Sequence, residues 1–211
     1  MVSILLASAS ERRREILSNL VSESSRLTSR ALATDELNPP GGIEVANQSE
    51  LVCTAKAKSA AEEVVLSQER ADYVIVADTL VENPTDPFIS LGQPSDELSA
   101  ASMLLGLSGR RHRVWSSTAI LYSPSGDVRG TEILHGGWTA NIWTDSAVVE
   151  FDELSEETLG ILVSSGSWKG KAGGYDLAGM AGEHAILVEG EEVTVLGFSH
   201  RAIETIHSLI G

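Results

Sequence analysis

The sequence predicts an α/β protein, and three stretches carry the prediction. The chain opens on a short apolar run, Ile4-Leu5-Leu6-Ala7, that passes through small residues into a helical pattern. Tyr73-Val74-Ile75-Val76-Ala77 is a continuous apolar run of the kind buried on both faces of a sheet. Val114 to Leu121 reads as another strong strand, and a capped helix precedes it. Strands that alternate with helix-periodic segments imply helices packed on a sheet.

Each element follows from a local signal. Residues 4–7 form a buried strand, and residues 11–19 a helix with Ser10 as N-cap, Leu20 and Val21 closing its apolar face. Residues 22–30 are polar and serine-rich, which places the second strand at Ala31-Leu32-Ala33-Thr34. Asn38-Pro39-Pro40-Gly41-Gly42 is a loop. It is a rim rather than a linker, because helical periodicity resumes over residues 49–66. The strand at 73–77 delivers Asp78-Thr79 at its C-terminal end, where open α/β sheets place their ligands. Asn83-Pro84-Thr85-Asp86-Pro87 turns a hairpin, and residues 96–107 form a helix with Ser95 as cap and Ser108-Gly109 as stop. A β-rich stretch spans residues 127–151, with Gly136-Gly137 as a tight turn. Ser155 caps a helix over 156–163, a second glycine-rich stretch covers 166–176, and the apolar runs Ala185 to Val188 and Val193 to Gly197 precede a terminal helix from Ser199.

Composition narrows the function classes. The 211 residues suffice for one domain of two lobes sharing a core. No apolar run is long enough to span a bilayer and the start has no secretory pattern. Cys53, the single cysteine, excludes an internal disulfide, reads as a buried small hydrophobe, and is compatible with a reducing, cytoplasmic compartment. The net charge of −15 repels nucleic-acid polymers and anionic membranes. A small nucleotide can still bind where local cations or a metal offset that field.

The first strand–helix junction supplies such cations. Arg12, Arg13 and Arg14 stand in the first helical turn, where the helix dipole favours acids. A strand, a small-residue turn and a helix N-terminus present backbone N–H groups to an anion, and guanidinium groups match phosphate oxygens in pairs. From the residues alone two readings stand level: a phosphate grip, and a solvated basic face balanced by Glu11 and Glu15. Asp78 suits a general base or metal ligand, or else a turn cap.

Several blocks recur in one order along the chain. They are Ser8-x-Ser10-x-Arg12-Arg13, Asp35-Glu36 ahead of the rim loop, Lys56-Ala57 on a helix, and Ala77-Asp78-Thr79-x-Val81. Leu107-Ser108-Gly109-x-x-His112-x-Val114, Lys171-Ala172-Gly173-x-Tyr175 and Val195-Leu196-Gly197 follow. In that order, over nearly the whole chain, they resemble the Maf family, nucleoside triphosphate pyrophosphatases related in fold to inosine triphosphatase.

The resemblance implies a curved mixed sheet flanked by helices, two lobes with a central cleft, and a homodimer. It implies hydrolysis of a nucleoside triphosphate between the α and β phosphates, giving a monophosphate and pyrophosphate. Asp78 would be general base or metal ligand, Glu36 a second carboxylate on a divalent cation (Mg²⁺ or Mn²⁺), and Lys56 a catalytic point charge. Ser8, Ser10, Arg12, Arg13, Thr79 and Lys171 would hold the nucleotide. His112 would buttress the site by hydrogen bonding rather than transfer a proton, and Arg14, outside the motif, is surface charge.

The motifs resemble the dTTP/UTP branch more than the 7-methyl-GTP branch, with three departures. Gln93 stands where the family has lysine, residues 167–170 replace an acidic turn, and Tyr-Gly-Ile-Gln-Gly becomes Tyr175-Asp176-Leu177-Ala178-Gly179. Ala178 thus occupies the substrate position of a base-reading glutamine and has no group to replace it. The expected substrates are dTTP and UTP or modified pyrimidine nucleotides. The alternative is a catalytically weakened nucleotide-binding or regulatory protein linked to cell-division control. Two acids, Glu36 and Asp78, speak against it, since an anion binder gains nothing from them without a metal.

Overall fold

The computed structural model describes residues 1–22, 24–34 and 38–210; Asp35 and Glu36 lie outside the described residues. In chain order the elements are β1 (Val2–Ala7), α1 (Glu11–Leu20), β2 (Ser25–Arg30), α2 (Val45–Ser67), β3 (Tyr73–Asn83), β4 (Asp86–Leu91) and α3 (Glu97–Leu107). Then follow β5 (Arg111–Tyr122), β6 (Glu132–Ile133), β7 (Thr139–Phe151), α4 (Glu156–Ser164), β8 (Ala185–Glu189), α5 (Glu192–Leu196) and α6 (His200–Ile210). The strands form one mixed sheet in the order β2-β1-β3-β5-β7-β6, with β4 on β3 and β8 on β7. β1 runs parallel to β2 and β3, and the other pairings are antiparallel.

Helices cover the two faces. Cys53, Ala57, Ala60, Ala61 and Val64 of α2 pack on Val74, Val76, Ala119 and Leu121. Four of those five helical side chains are thiol or methyl, so α2 can lie close to the strands. Ala202, Ile206 and Ile210 of α6 pack on Ile4, Leu6, Ile75 and Ile120 from the opposite side. The alternation of β3, Val74 and Val76 one way and Ile75 and Ala77 the other, follows from the strand pleat. A third cluster joins α3 and α4, through Leu104, Leu107 and Leu162, to Val114, Ala147, Val149 and Phe151.

Four sequence expectations change. The second strand lies at Ser25–Arg30, not at residues 31–34. It is a sheet edge with no fully buried residue, so its backbone hydrogen bonds to β1 form it without an apolar signature. β3 does not end at Ala77 but continues through Asn83, paired with β5 as far as Val81, which puts Asp78 in mid-strand. What ends beside Asp78 is β1, whose pairing with β3 stops at Leu6 and Ile75. The cap of α3 is Asp96 rather than Ser95: its carboxylate accepts from the Ser99 N–H at 2.7 Å, and the Ser99 hydroxyl accepts from the Asp96 N–H at 3.0 Å. The apolar run from Val193 becomes the short α5, closed by Gly197.

Candidate active site

The junction between β1 and α1 is built by short side chains and one long one. Ser8 accepts from the Ser10 N–H at 3.2 Å, and Ser10 caps α1 by accepting from the Arg13 N–H at 3.4 Å. The Arg13 side chain turns back against the sheet. Its Nε donates to the Gly197 carbonyl at 2.9 Å, Nη1 to the Ala77 carbonyl at 3.0 Å, and Nη2 to Thr79 Oγ1 at 3.0 Å. Arg13 therefore ties α1, β3 and the end of α5 together. Thr79 passes its own proton to Ser116 Oγ at 2.8 Å, since Ser116 spends its proton on the Thr194 carbonyl at 2.7 Å. Gly197 has φ 123°, and a Cβ there would stand 2.9 Å from Arg13 Nε. Only glycine allows that approach.

Beyond Arg13 opens a cleft lined by Arg12, Arg13, Thr79, Gln93, Lys171 and Tyr175. Arg12 forms an ion pair with Asp176, and Lys171 Nζ lies 3.4 Å from the same carboxylate oxygen. The loop carrying Lys171 and Asp176 is anchored from below. Tyr175 Oη hydrogen-bonds His112 Nε2 at 2.8 Å, and both rings pack against Phe151. Gly173, at φ 70°, donates its N–H to the Gly92 carbonyl at 3.0 Å. Burial pushes His112 down to about 4, with the Arg110 backbone pulling the other way, and pushes the Tyr175 phenol up. Both are neutral at physiological pH.

Asp78 faces the other side of the sheet. Consecutive strand residues point oppositely, so Thr79 meets Arg13 while Asp78 meets α2. Asp78 is buried, its side chain 8% exposed, and its Oδ1 lies 2.7 Å from Lys56 Nζ. Its Oδ2 is buried with no hydrogen-bond partner among the described residues. A buried carboxylate oxygen without a donor is costly, and as a hard ligand it fits a divalent cation. Among the described residues there is no cluster of three His, Cys, Asp or Glu side chains that could hold a metal. Cys53 lies fully buried on the same face, its thiol pushed up to about 12 by burial and then by the Asp78 charge, and it is inert as a nucleophile.

Known proteins complete the picture. The sequence model of the family described as Maf-like protein matches residues 3–208. The chain belongs to the Maf family. A dTTP/UTP pyrophosphatase of Ruegeria sp. (strain TM1040) is 31% identical, covering 93% of this chain and 88% of its own. One of Rhodopseudomonas palustris (strain BisB5) is 32% identical over 99% and 90%. A nucleoside triphosphate pyrophosphatase of Anaplasma phagocytophilum (strain HZ) is 30% identical over 93% and 90%. Among solved structures, a HAM1 protein from Coxiella burnetii aligns with a TM-score of 0.43 at 11% identity, over 72% of this chain and 73% of that one.

The Maf blocks thus fall into two groups in space. Asp78 and Lys56 meet on the α2 face; Ser8, Ser10, Arg12, Arg13, Thr79 and Lys171 gather on the cleft side, and the β1–α1 turn passes beside the strand they share. Glu36 lies outside the described residues. His112 holds Tyr175, which explains in physical terms why the Ser-Gly-x-x-His and Lys-Ala-Gly-x-Tyr blocks of this Maf chain go together. Arg14 is an exposed partner of Glu11 at 2.7 Å. Ala178 is exposed, its N–H donated to Asp176 Oδ1 at 3.0 Å. Trp168 is buried and donates its indole N–H to the Val163 carbonyl at 2.8 Å, so it packs rather than stacking on a base. Asp176, which the sequence reading did not single out as a site residue, is the carboxylate that Arg12 and Lys171 share. Its signal was an acid where the resembled motif carries glycine.

Proposed function

We propose that this Maf-family chain is a nucleoside triphosphate pyrophosphatase that cleaves between the α and β phosphates, releasing a monophosphate and pyrophosphate, with dTTP and UTP as substrates. The observation that carries the reading is Asp78. It is a buried carboxylate, balanced by Lys56 at 2.7 Å and with Oδ2 unsatisfied, one residue before Thr79, which Arg13 of the cleft engages. A carboxylate placed so serves proton transfer, and the cations of the cleft serve a phosphate chain.

The scissile bond joins two anionic groups, so turnover needs charge neutralisation and an oriented water. Asp78 Oδ2 accepts the proton of the attacking water, and Lys56 holds Oδ1 so that Oδ2 is aimed. Arg12 and Lys171 take phosphate oxygens, while Arg13 fixes Thr79 and the Gly197 end of α5 in place. Mg²⁺ or Mn²⁺, held by Asp78 and Glu36, would supply further charge neutralisation. The relatives' names and the Maf motifs support dTTP and UTP. Phosphate release, coupled to added pyrophosphatase, across a panel of canonical and modified triphosphates with each metal tests the proposal. Turnover of dTTP or UTP is expected; no turnover of any nucleotide with either metal would sink it.

A further inference from the structure

Two cations of the cleft share one internal anion. Asp176 Oδ2 pairs with Arg12 and lies 3.4 Å from Lys171 Nζ, while Oδ1 accepts the Ala178 N–H at 3.0 Å. The side chains of Arg12, Asp176 and Lys171 are 15%, 19% and 26% exposed, so solvent screens these pairs less than it would at the surface. Lys171 and Asp176 bracket a loop pinned by Tyr175 on His112. Gln93, on the same cleft, adds no charge. A carboxylate resembles one phosphate edge in charge and in oxygen geometry, and guanidinium binds both in the same way.

We propose that Asp176 occupies the place of a substrate phosphate in the resting cleft, and that a polyphosphate binds by displacing it from Arg12 and Lys171. The inference rests on reading the cleft as a polyphosphate grip. Asp176 then sets affinity for the anionic part of the substrate. A singly charged ligand gains little by the exchange, because it replaces one carboxylate with another anion of equal charge. A di- or triphosphate gains, because it brings more charge than it displaces. The residue acts as a charge filter against monoanions, at a cost in affinity for every nucleotide.

Calorimetric titration of inorganic tripolyphosphate into metal-free protein tests this without turnover. Asp176→Asn keeps an acceptor for the Ala178 N–H while removing the anion; Asp176→Gly removes the side chain altogether. Both variants are expected to bind tripolyphosphate about tenfold tighter than the unsubstituted chain, the factor of ten corresponding to ~1.4 kcal/mol. Their KM for dTTP should fall by a similar factor with kcat little changed. If Asp176 instead holds the two cations in their working positions, both variants bind tripolyphosphate more weakly. Weaker, unchanged or undetectable binding in the two folded variants overturns the inference. Should the unsubstituted chain hydrolyse no nucleotide, the proposed function fails while the titration still decides Asp176.

Discussion

Asp78→Asn is expected to lower kcat by about a thousandfold, the middle of the range for removing a positioned general base. The amide is nearly isosteric with the carboxylate, so the 2.7 Å approach of Lys56 and the packing of α2 on β3 survive. What disappears is the proton acceptor at Oδ2 and the negative charge facing the ammonium. KM should change far less than kcat, because Arg12 and Lys171 rather than Asp78 take the phosphate oxygens. Steady-state kinetics on dTTP, with circular dichroism to establish that the variant is folded, measures both. A variant with kcat within threefold of the unsubstituted enzyme would remove Asp78 from the chemistry.

A second large effect is expected in stability against pH, from His112. In the fold its imidazole is pushed from the ordinary 6.5 to about 4 by burial between Phe151 and Tyr175. Between those two values the unfolded chain binds a proton at this site and the folded chain does not. Stability from this residue is therefore fully present above the unfolded value near pH 6.5 and is lost as pH falls toward 4, by about 3 kcal/mol. Urea unfolding at intervals from pH 7 to pH 4 reads the loss directly. His112→Asn keeps a polar group near Tyr175 Oη but has nothing to titrate, so its stability should fall less steeply across that window by the same amount. Equal slopes for the two proteins would show that His112 is not the titrating group. The same experiment bears on the cleft, because His112 holds the tyrosine that anchors Lys171 and Asp176.

Much of the molecule was legible because its signals are local. Ser10 and Ser155 announced their helices by hydroxyl caps, and β1, β3 and β5 by apolar runs buried on both faces. The ordered Maf blocks led to the family because they cover the chain and keep their order. Long-range pairing was less legible. β2 is an edge whose Ser25–Arg30 sequence carries no apolar pattern, and only its ladder with β1 reveals it. The extent of β3 past Asp78 depends on β5, a partner over thirty residues away. The division of Asp78 and Thr79 between two faces of the sheet follows from that extension. Arg13 is a further case: its motif suggests a phosphate contact, while three of its donors are spent on Gly197, Ala77 and Thr79. Such uses of a cation are written in tertiary contacts, not in spacing. Asp176 was readable as a departure from the motif, but its pairing with Arg12, near the other end of the chain, was not.

The most direct test of the account is the identity of the products. Phosphorus NMR of a dTTP reaction run with Mg²⁺ should show the triphosphate resonances giving way to dTMP and pyrophosphate in equal amounts, with Asp78→Asn leaving the triphosphate intact. Release of orthophosphate with dTDP would place the cleavage at the wrong bond and contradict the account.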